Sequence, residues 1–178
     1  MKPKALNLTL TALFTVIIAL CSMLSFPTAI PLTLQTFGIF LSLFVLGGKY
    51  ATVSIAVHFL LGAVGLPVFH GFNGGIGVIA GATGGYIVGF LVTGPIYILI
   101  TKIGGNKTAV KFIAAFTGLI VCYIAGTVWF TLTWSDGKGF IYALITCVAP
   151  FIIPDTAKII LAYFIAKRLK KINPSIAE

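Results

Sequence analysis

The sequence predicts an all-α integral membrane protein with six transmembrane helices, and three observations carry this prediction. Of the 178 residues, 59% are hydrophobic and 8% are charged, whereas a soluble domain has about a quarter of its residues charged. The mean hydropathy is +1.13. Basic residues collect at the ends of the apolar runs, as membrane topology requires. We therefore expect residues 1–178 to form a single six-helix membrane domain.

The first three helices are delimited by prolines and glycines. Residues 8–26 form an apolar run long enough to span a bilayer core of about 30 Å. The prolines of the following segment end this helix, because a proline lacks the amide that a helix interior needs. Helix 2 then runs from about residue 37 to the glycines at 47 and 48. Helix 3 covers about residues 50–66 and stops at Pro67.

The second half of the chain predicts three longer helices. A glycine-rich connection at residues 68–82 precedes helix 4, which covers about residues 83–101. Helix 5 covers about residues 109–133. A short polar turn then leads into helix 6, at about residues 140–166.

The distribution of basic residues predicts the orientation of the helices. With six spans, ten of the twelve basic residues fall on the side that carries both termini, one (Lys138) falls on the opposite side, and one (Lys158) lies inside a span. Cytoplasmic segments carry the excess of Lys and Arg. Both termini are therefore predicted to be cytoplasmic, with the proline segment after helix 1 and the glycine-rich connection facing outward.

A charged pair lies within helix 6. Asp155 and Lys158 are three residues apart, so they project from one face of a helix. Charged groups at membrane depth persist where they pair or contact a ligand. Pro150 and Pro154 precede the pair and remove backbone donors. We predict a ligand-binding role, and the alternative is a pair that only holds the bundle together.

The sequence allows two positions for this pair along the membrane normal. Asp155 follows the start of helix 6 by some fifteen residues, which on a straight helix is roughly 22 Å. That distance passes the midplane of the bilayer and conflicts with a site near the outer loops. An interruption of helix 6 near its prolines would remove the conflict.

Helix 4 begins with closely spaced glycines. Gly85 and Gly89 are four residues apart, which predicts a groove where another helix approaches closely. Thr83, Gly84 and Tyr86 lie at the mouth of the outer loop, and we predict that they form a ligand wall. The free amides of a helix N-terminus suit an anionic or carbonyl-bearing ligand.

Several function classes are disfavoured. The basic residues sit at helix ends, which argues against nucleic-acid binding. His58 and His70 each lack a second metal ligand at a suitable spacing, so we expect no metal site and no cofactor. No catalytic set of Ser, His and Asp or of paired carboxylates is present, so we expect no enzyme activity. The Gly-Asn-Lys-Thr at residues 105–108 is not a phosphate-binding loop, because the first glycine is missing at the required spacing and Asn106 stands at the glycine position before the lysine.

Four motifs together resemble the BioY family, the biotin-specific substrate-binding (S) components of energy-coupling factor (ECF) transporters. They are Pro-Leu-Thr-Leu-Gln-Thr-Phe at residues 31–37, Gly-Ala-Val-Gly-Leu-Pro-Val-Phe at 62–69, Gly-Ala-Thr-Gly-Gly-Tyr-Ile-Val-Gly-Phe at 81–90, and Pro150-Phe151 followed by Asp155 and Lys158. Two departures stand out, since the family usually has proline at the position of Ala82 and Pro-Gly where Ile153 and Pro154 stand.

The resemblance implies a membrane protein of the prokaryotic plasma membrane that captures biotin from outside. It also implies partners, namely a transmembrane coupling subunit and two ATPase subunits. The family pattern places alanines four residues apart on helix 1 for contact with the coupling subunit. Ala12 matches the first position, and Val16 stands at the second.

The chemical groups of biotin suggest a role for each of the expected site residues. Its ureido ring has two N–H donors and a carbonyl, and its tail ends in a carboxylate. Asp155 would accept the ureido N–H groups, and a charged acceptor makes such bonds strong. Lys158 would meet the tail carboxylate or orient Asp155. The ureido carbonyl would be satisfied by Asn73 or Gln35. The aromatic rings expected to cover the apolar part are Phe69, Tyr86 and Trp129.

Other functions remain as alternatives. An S component for thiamin or riboflavin would carry a different set of motifs. A small membrane channel would show polar stripes along several helices, and an intramembrane enzyme would need more titratable groups. Uptake that fails without an ATPase partner would separate the two transporter hypotheses from the channel and the enzyme.

Overall fold

The computed structural model describes residues 4–26 and 31–172, with Lys4 as backbone only. The predicted break at residues 27–30 therefore lies outside the described residues. The described chain is mostly helical, with α1 (Lys4–Met23), α2 (Gln35–Leu46), α3 (Gly48–Ala63), α4 (Ile76–Ala80), α5 (Gly84–Gly104), α6 (Thr108–Thr133), α7 (Gly139–Cys147) and α8 (Ala149–Ile172). A hairpin of two antiparallel strands, β1 (Ser25–Phe26) and β2 (Leu32–Thr33), joins α1 to α2.

Four of these helices are long and apolar enough to cross a membrane. Within the described residues they are Ala5–Met23, Gly84–Gly104, Thr108–Thr133 and Ala149–Ile172. The helix α2 is apolar but has only 12 residues, and α3 has 16. The two are separated by Gly47 alone, whose φ of 75° lies in the left-handed region that favours glycine. The described part of the chain is thus mostly helical, with four helices that could cross a membrane by their length and composition.

Three elements differ from the sequence prediction. Helix 1 begins at Lys4 and ends at Met23, and the next residues form the hairpin instead of continuing the helix. The glycine-rich connection contains a 3₁₀ turn at His70–Phe72 and the short helix α4. The predicted helix 6 is two helices, α7 and α8, and α8 extends to Ile172.

The break between α7 and α8 lies at Val148, where φ is −123° and ψ is −50°. Pro150 explains the position of the break, because it has no amide to donate to the carbonyl of Thr146. The amide of Phe151 instead donates to the carbonyl of Val148 at 2.9 Å, in a tighter turn. The sequence left open whether helix 6 is interrupted near its prolines, and the structure shows an interruption there.

The two ends of the bundle differ in how they are filled. At one end, aromatic rings from four helices pack with centroids 4.8 to 6.1 Å apart, at Phe44, Tyr97, Phe112 and Tyr163. The other end, which we call the hairpin end, carries the β1–β2 hairpin and the segment between α3 and α5. Apolar packing thus closes one half of the bundle, and the hairpin end holds the cavity described below.

The predicted close approach at Gly85 and Gly89 is confirmed. A Cβ placed on Gly85 would overlap the side chain of Trp129, and one on Gly89 would lie 3.0 Å from the Cα of Cys122. Both partners belong to α6, which shares its most extensive interface with α5. Small residues therefore let these two helices approach closely.

Gly84→Ala is expected to destabilise the protein by about 1–3 kcal/mol, the usual cost of overpacking. A Cβ at this position would overlap the backbone carbonyl of Ile79, which cannot move without shifting α4. Thermal unfolding in detergent measures the effect. Gly77→Ala is the matched control, because nothing lies within 4 Å of its Cβ position. Equal melting temperatures for the two variants would contradict this explanation.

Candidate functional site

A cavity at the hairpin end is enclosed by the first turns of α2, α5 and α8, the middle of α6 and the end of α7. Its volume, with the open mouth counted, is about 560 Å³. The described residues that line it are Pro31, Thr33, Gln35, Thr36, His70, Thr83, Tyr86, Ile87, Phe90, Cys122, Tyr123, Cys147, Phe151, Asp155 and Lys158.

Asp155 and Lys158 form the charged part of the cavity wall. Lys158 Nζ lies 2.8 Å from Asp155 Oδ1, as the spacing of three residues predicted. Asp155 is 4% exposed. It lines the same cavity as Gln35, the first residue of α2, and Tyr86, near the start of α5. The pair is therefore at the hairpin end of the bundle.

Two further groups hold this pair in place, and sequence reasoning missed both. The hydroxyl of Tyr123 on α6 donates to Asp155 Oδ2 at 2.7 Å. The ammonium of Lys158 donates to the carbonyl of Thr33 on β2 at 2.7 Å. Both carboxylate oxygens of Asp155 thus have a donor. Asp155 also lines the cavity, and its remaining lone pairs can accept hydrogen bonds from a ligand.

Gln35 contributes a buried amide to the cavity wall. Its Nε2 lies 3.4 Å from Nε2 of His58 on α3, and its backbone amide donates to Thr33 Oγ1 at 3.2 Å. His58 is 2% exposed and also meets the ring of Phe69 edge-on. These contacts fix the side chain of Gln35, which can offer a donor or an acceptor to a ligand.

His70 and Thr83 lie together beside the N-terminus of α5. Thr83 Oγ1 is 3.3 Å from His70 Nε2. The His70 ring is half-buried, and burial lowers the pKa of this imidazole below its ordinary value. A neutral imidazole at pH 7 can donate one hydrogen bond and accept another.

Tyr86 lines the cavity and supports the helix break. Its hydroxyl lies 3.4 Å from the carbonyl of Cys147, to which it donates, and 3.4 Å from Thr127 Oγ1. Cys147 is the last residue of α7, where the break frees carbonyl groups. Of the predicted wall residues, Thr83 and Tyr86 therefore border the cavity directly.

Three predicted ligand contacts lie elsewhere in the described structure. Asn73 is exposed, and its side-chain amide donates to the carbonyl of His70 at 3.0 Å. Phe69 is 1% exposed and packs on Gly62 in the core. Gly84 abuts the carbonyl of Ile79. None of them is among the described residues that line the cavity.

The indole of Trp129, which the sequence suggested as a cover for the apolar part of the ligand, also lies outside the lining. Its Nε1 donates to the carbonyl of Gly81 at 2.9 Å, and Trp134 Nε1 lies 3.4 Å from the carbonyl of Ala80. Both rings tie α6 to the end of α4. The apolar lining comes instead from Ile87, Phe90 and Phe151.

The helix α1 presents an exposed face away from the cavity. Ala12 and Val16 are both exposed, and so are Leu13 and Leu20. The opposite face packs on α2 and α3. The two positions predicted for partner contact are thus accessible on one side of α1.

The sequence resembles known proteins over nearly its whole length. The profile described as "BioY family" matches residues 1–175. A probable biotin transporter BioY of Pyrococcus horikoshii is 40% identical over 94% of this chain and 98% of its own length. The biotin transporter BioY of Thermotoga maritima is 37% identical over 90% of this chain and 94% of its own length.

A solved structure shares the fold. The crystal structure of the S-component for biotin from an ECF-type ABC transporter superposes with a TM-score of 0.83 at 30% sequence identity. The match covers 94% of this chain and 92% of that chain.

Proposed function

The chain belongs to the BioY family, and we propose that it is the biotin-binding S component of an ECF-type transporter. The observation that carries the proposal is the Asp155 carboxylate, held by Tyr123 and Lys158 on the wall of an otherwise largely apolar cavity. Such a cavity, with few convergent polar groups, suits a ligand that pairs a polar ring with an apolar body.

The ureido ring of biotin is assigned to the charged end of the cavity. Asp155 accepts the ureido N–H groups, since a carboxylate is the strongest acceptor available there. Gln35, already positioned by His58 and Thr33, serves the ureido carbonyl. Asn73 remains a second candidate for that carbonyl, after release of its bond to His70.

Lys158 orients Asp155 in this proposal. Its ammonium donates to Asp155 and to the carbonyl of Thr33, so two of its three donors are engaged within the protein. Because Thr33 belongs to the β1–β2 hairpin, the same ammonium ties the hairpin to α8. We propose that this hairpin and the segment between α3 and α5 cover bound biotin on the outer side of the membrane.

The topology and the partners are also part of the proposal. We propose six membrane crossings, made by α1, α2, α3, α5, α6 and the interrupted pair α7–α8, with both termini in the cytoplasm. The chain would work in the plasma membrane with a transmembrane coupling subunit and two ATPase subunits. The exposed face of α1 around Ala12 and Val16 is the proposed contact with the coupling subunit. No enzyme activity, metal or cofactor is proposed for this chain.

Isothermal titration of the purified chain in detergent tests the proposed substrate. Biotin is expected to bind with one-to-one stoichiometry, while thiamin and riboflavin give no response. Absence of biotin binding, or binding of one of the other two vitamins instead, would refute the substrate assignment.

Tyr123→Phe is expected to weaken biotin binding by about 10- to 100-fold. This range corresponds to the usual free-energy contribution of a hydrogen bond to a charged group. The change removes the donor to Asp155 Oδ2 and leaves the ring in place. Titration with biotin measures the loss. Tyr142→Phe is a matched control, because Tyr142 is exposed and does not line the cavity. An unchanged affinity in Tyr123→Phe would show that Tyr123 does not position Asp155.

A further inference from the structure

We infer that His70, supported by Thr83, binds the carboxylate end of the ligand and strengthens binding when the imidazole is protonated. This inference deepens the proposed function and rests on it. It assigns the anionic end of biotin to the wall formed by α5 and the segment before it, away from the charged pair on α8.

Electrostatics disfavours Lys158 as the partner of the ligand carboxylate. Its ammonium lies 2.8 Å from Asp155 Oδ1 and also donates to the carbonyl of Thr33. A second carboxylate drawn to this ammonium would lie close to Asp155. Like charges at such a distance repel strongly in a site that is largely shielded from water. The ligand carboxylate is therefore directed to another polar wall.

His70 and Thr83 provide that wall. Both line the cavity, and Thr83 is the N-cap residue of α5. The N-terminus of this 21-residue helix carries a partial positive charge. A protonated histidine next to it adds a full charge. The backbone of His70 is held independently, because its carbonyl accepts hydrogen bonds from the amide and the side chain of Asn73.

The His70–Thr83 contact tolerates both charge states of the imidazole. Neutral imidazole can accept from the threonine hydroxyl or donate to it, and imidazolium can only donate. A hydroxyl serves either role by rotating. Protonation of His70 therefore costs no hydrogen bond with Thr83, and it leaves the other ring N–H available to a ligand carboxylate.

The pH range of the effect follows from the environment of His70. Burial lowers its pKa, so the free protein carries a neutral His70 at pH 7.5. An anionic ligand beside the ring favours the charged form and raises the pKa. Binding then takes up a proton, and affinity rises as the pH falls through the pKa of the imidazole in the ligand-bound protein. A carboxylic acid such as that of biotin is still ionised at pH 5.5.

Other titratable groups face the same cavity and require a control. They are Tyr86 on α5, Cys122 and Tyr123 on α6, Cys147 on α7, and Asp155 and Lys158 on α8. A pH effect that does not involve the charged tail of the ligand would appear equally with a ligand that lacks this charge. The methyl ester of biotin keeps the ureido ring and removes the tail charge, so it isolates the contribution of His70.

The experiment titrates the full chain with biotin and with biotin methyl ester at pH 7.5 and pH 5.5. We expect biotin to bind about three- to tenfold more tightly at the lower pH, within the limit of tenfold per pH unit for one proton. The ester should change by less than about twofold. In His70→Gln, the pH dependence for biotin should disappear.

Three results would overturn the inference. The first is an equal pH dependence for biotin and its ester in the unaltered protein. This result needs no variant, and it would refute this inference but not the proposed function. The second is a His70→Gln protein that binds biotin and keeps the full pH dependence. The third is no binding of either ligand at any pH, which would refute the proposed function and this inference with it.

Discussion

Asp155→Asn is expected to weaken biotin binding by at least about 100-fold, because it replaces a charged acceptor at the centre of the site. The asparagine keeps the shape of the side chain but offers one carbonyl oxygen and an NH₂ donor. That donor would face Lys158 or the ureido N–H groups, which are themselves donors and cannot accept from it. The titration used for the native chain measures the loss.

Asp136→Asn is the matched control for this substitution. Asp136 is exposed in the turn between α6 and α7, with a φ of 48° that asparagine also adopts readily. Its replacement should leave biotin affinity unchanged. Normal affinity in Asp155→Asn would remove the carboxylate from the binding mechanism and leave the pair with Lys158 as a structural contact only.

Lys158→Met is expected to destabilise the protein by about 3–5 kcal/mol, the usual cost of breaking a buried ion pair from one side. The variant leaves the Asp155 carboxylate at 4% exposure without its counter-charge. It also removes the donor to the carbonyl of Thr33, which ties the β1–β2 hairpin to α8. Thermal unfolding in detergent measures the change, and Lys167→Met on an exposed face of α8 is the control.

The double variant Asp155→Asn with Lys158→Met separates the two roles of the pair. Removing both charges should restore much of the stability lost in Lys158→Met, because no unpaired charge stays buried. It should not restore biotin binding. If the double variant is as unstable as Lys158→Met, the lost hydrogen bond to the Thr33 carbonyl, and not the unpaired charge of Asp155, accounts for the loss of stability.

The sequence by itself determined the features that depend on local spacing. Apolar runs and the placement of basic residues indicated a helical membrane protein. A separation of three residues placed Asp155 and Lys158 on one face, and the 2.8 Å contact confirms it. Glycines four residues apart predicted the close approach of α5 and α6. The prolines made an interruption of the last helix possible, because a missing amide acts within one turn, and the structure decided that it occurs.

The tertiary structure alone decided which groups share the cavity. Tyr123 reaches Asp155 from 32 residues away, and Thr33 meets Lys158 across 125 residues. The sequence also predicted Asn73 and Phe69 as ligand contacts, whereas neither is among the described residues that line the cavity. Periodicity fixes the face of a residue on its own helix. It does not fix which other helix that face meets, because that depends on how all the helices pack together.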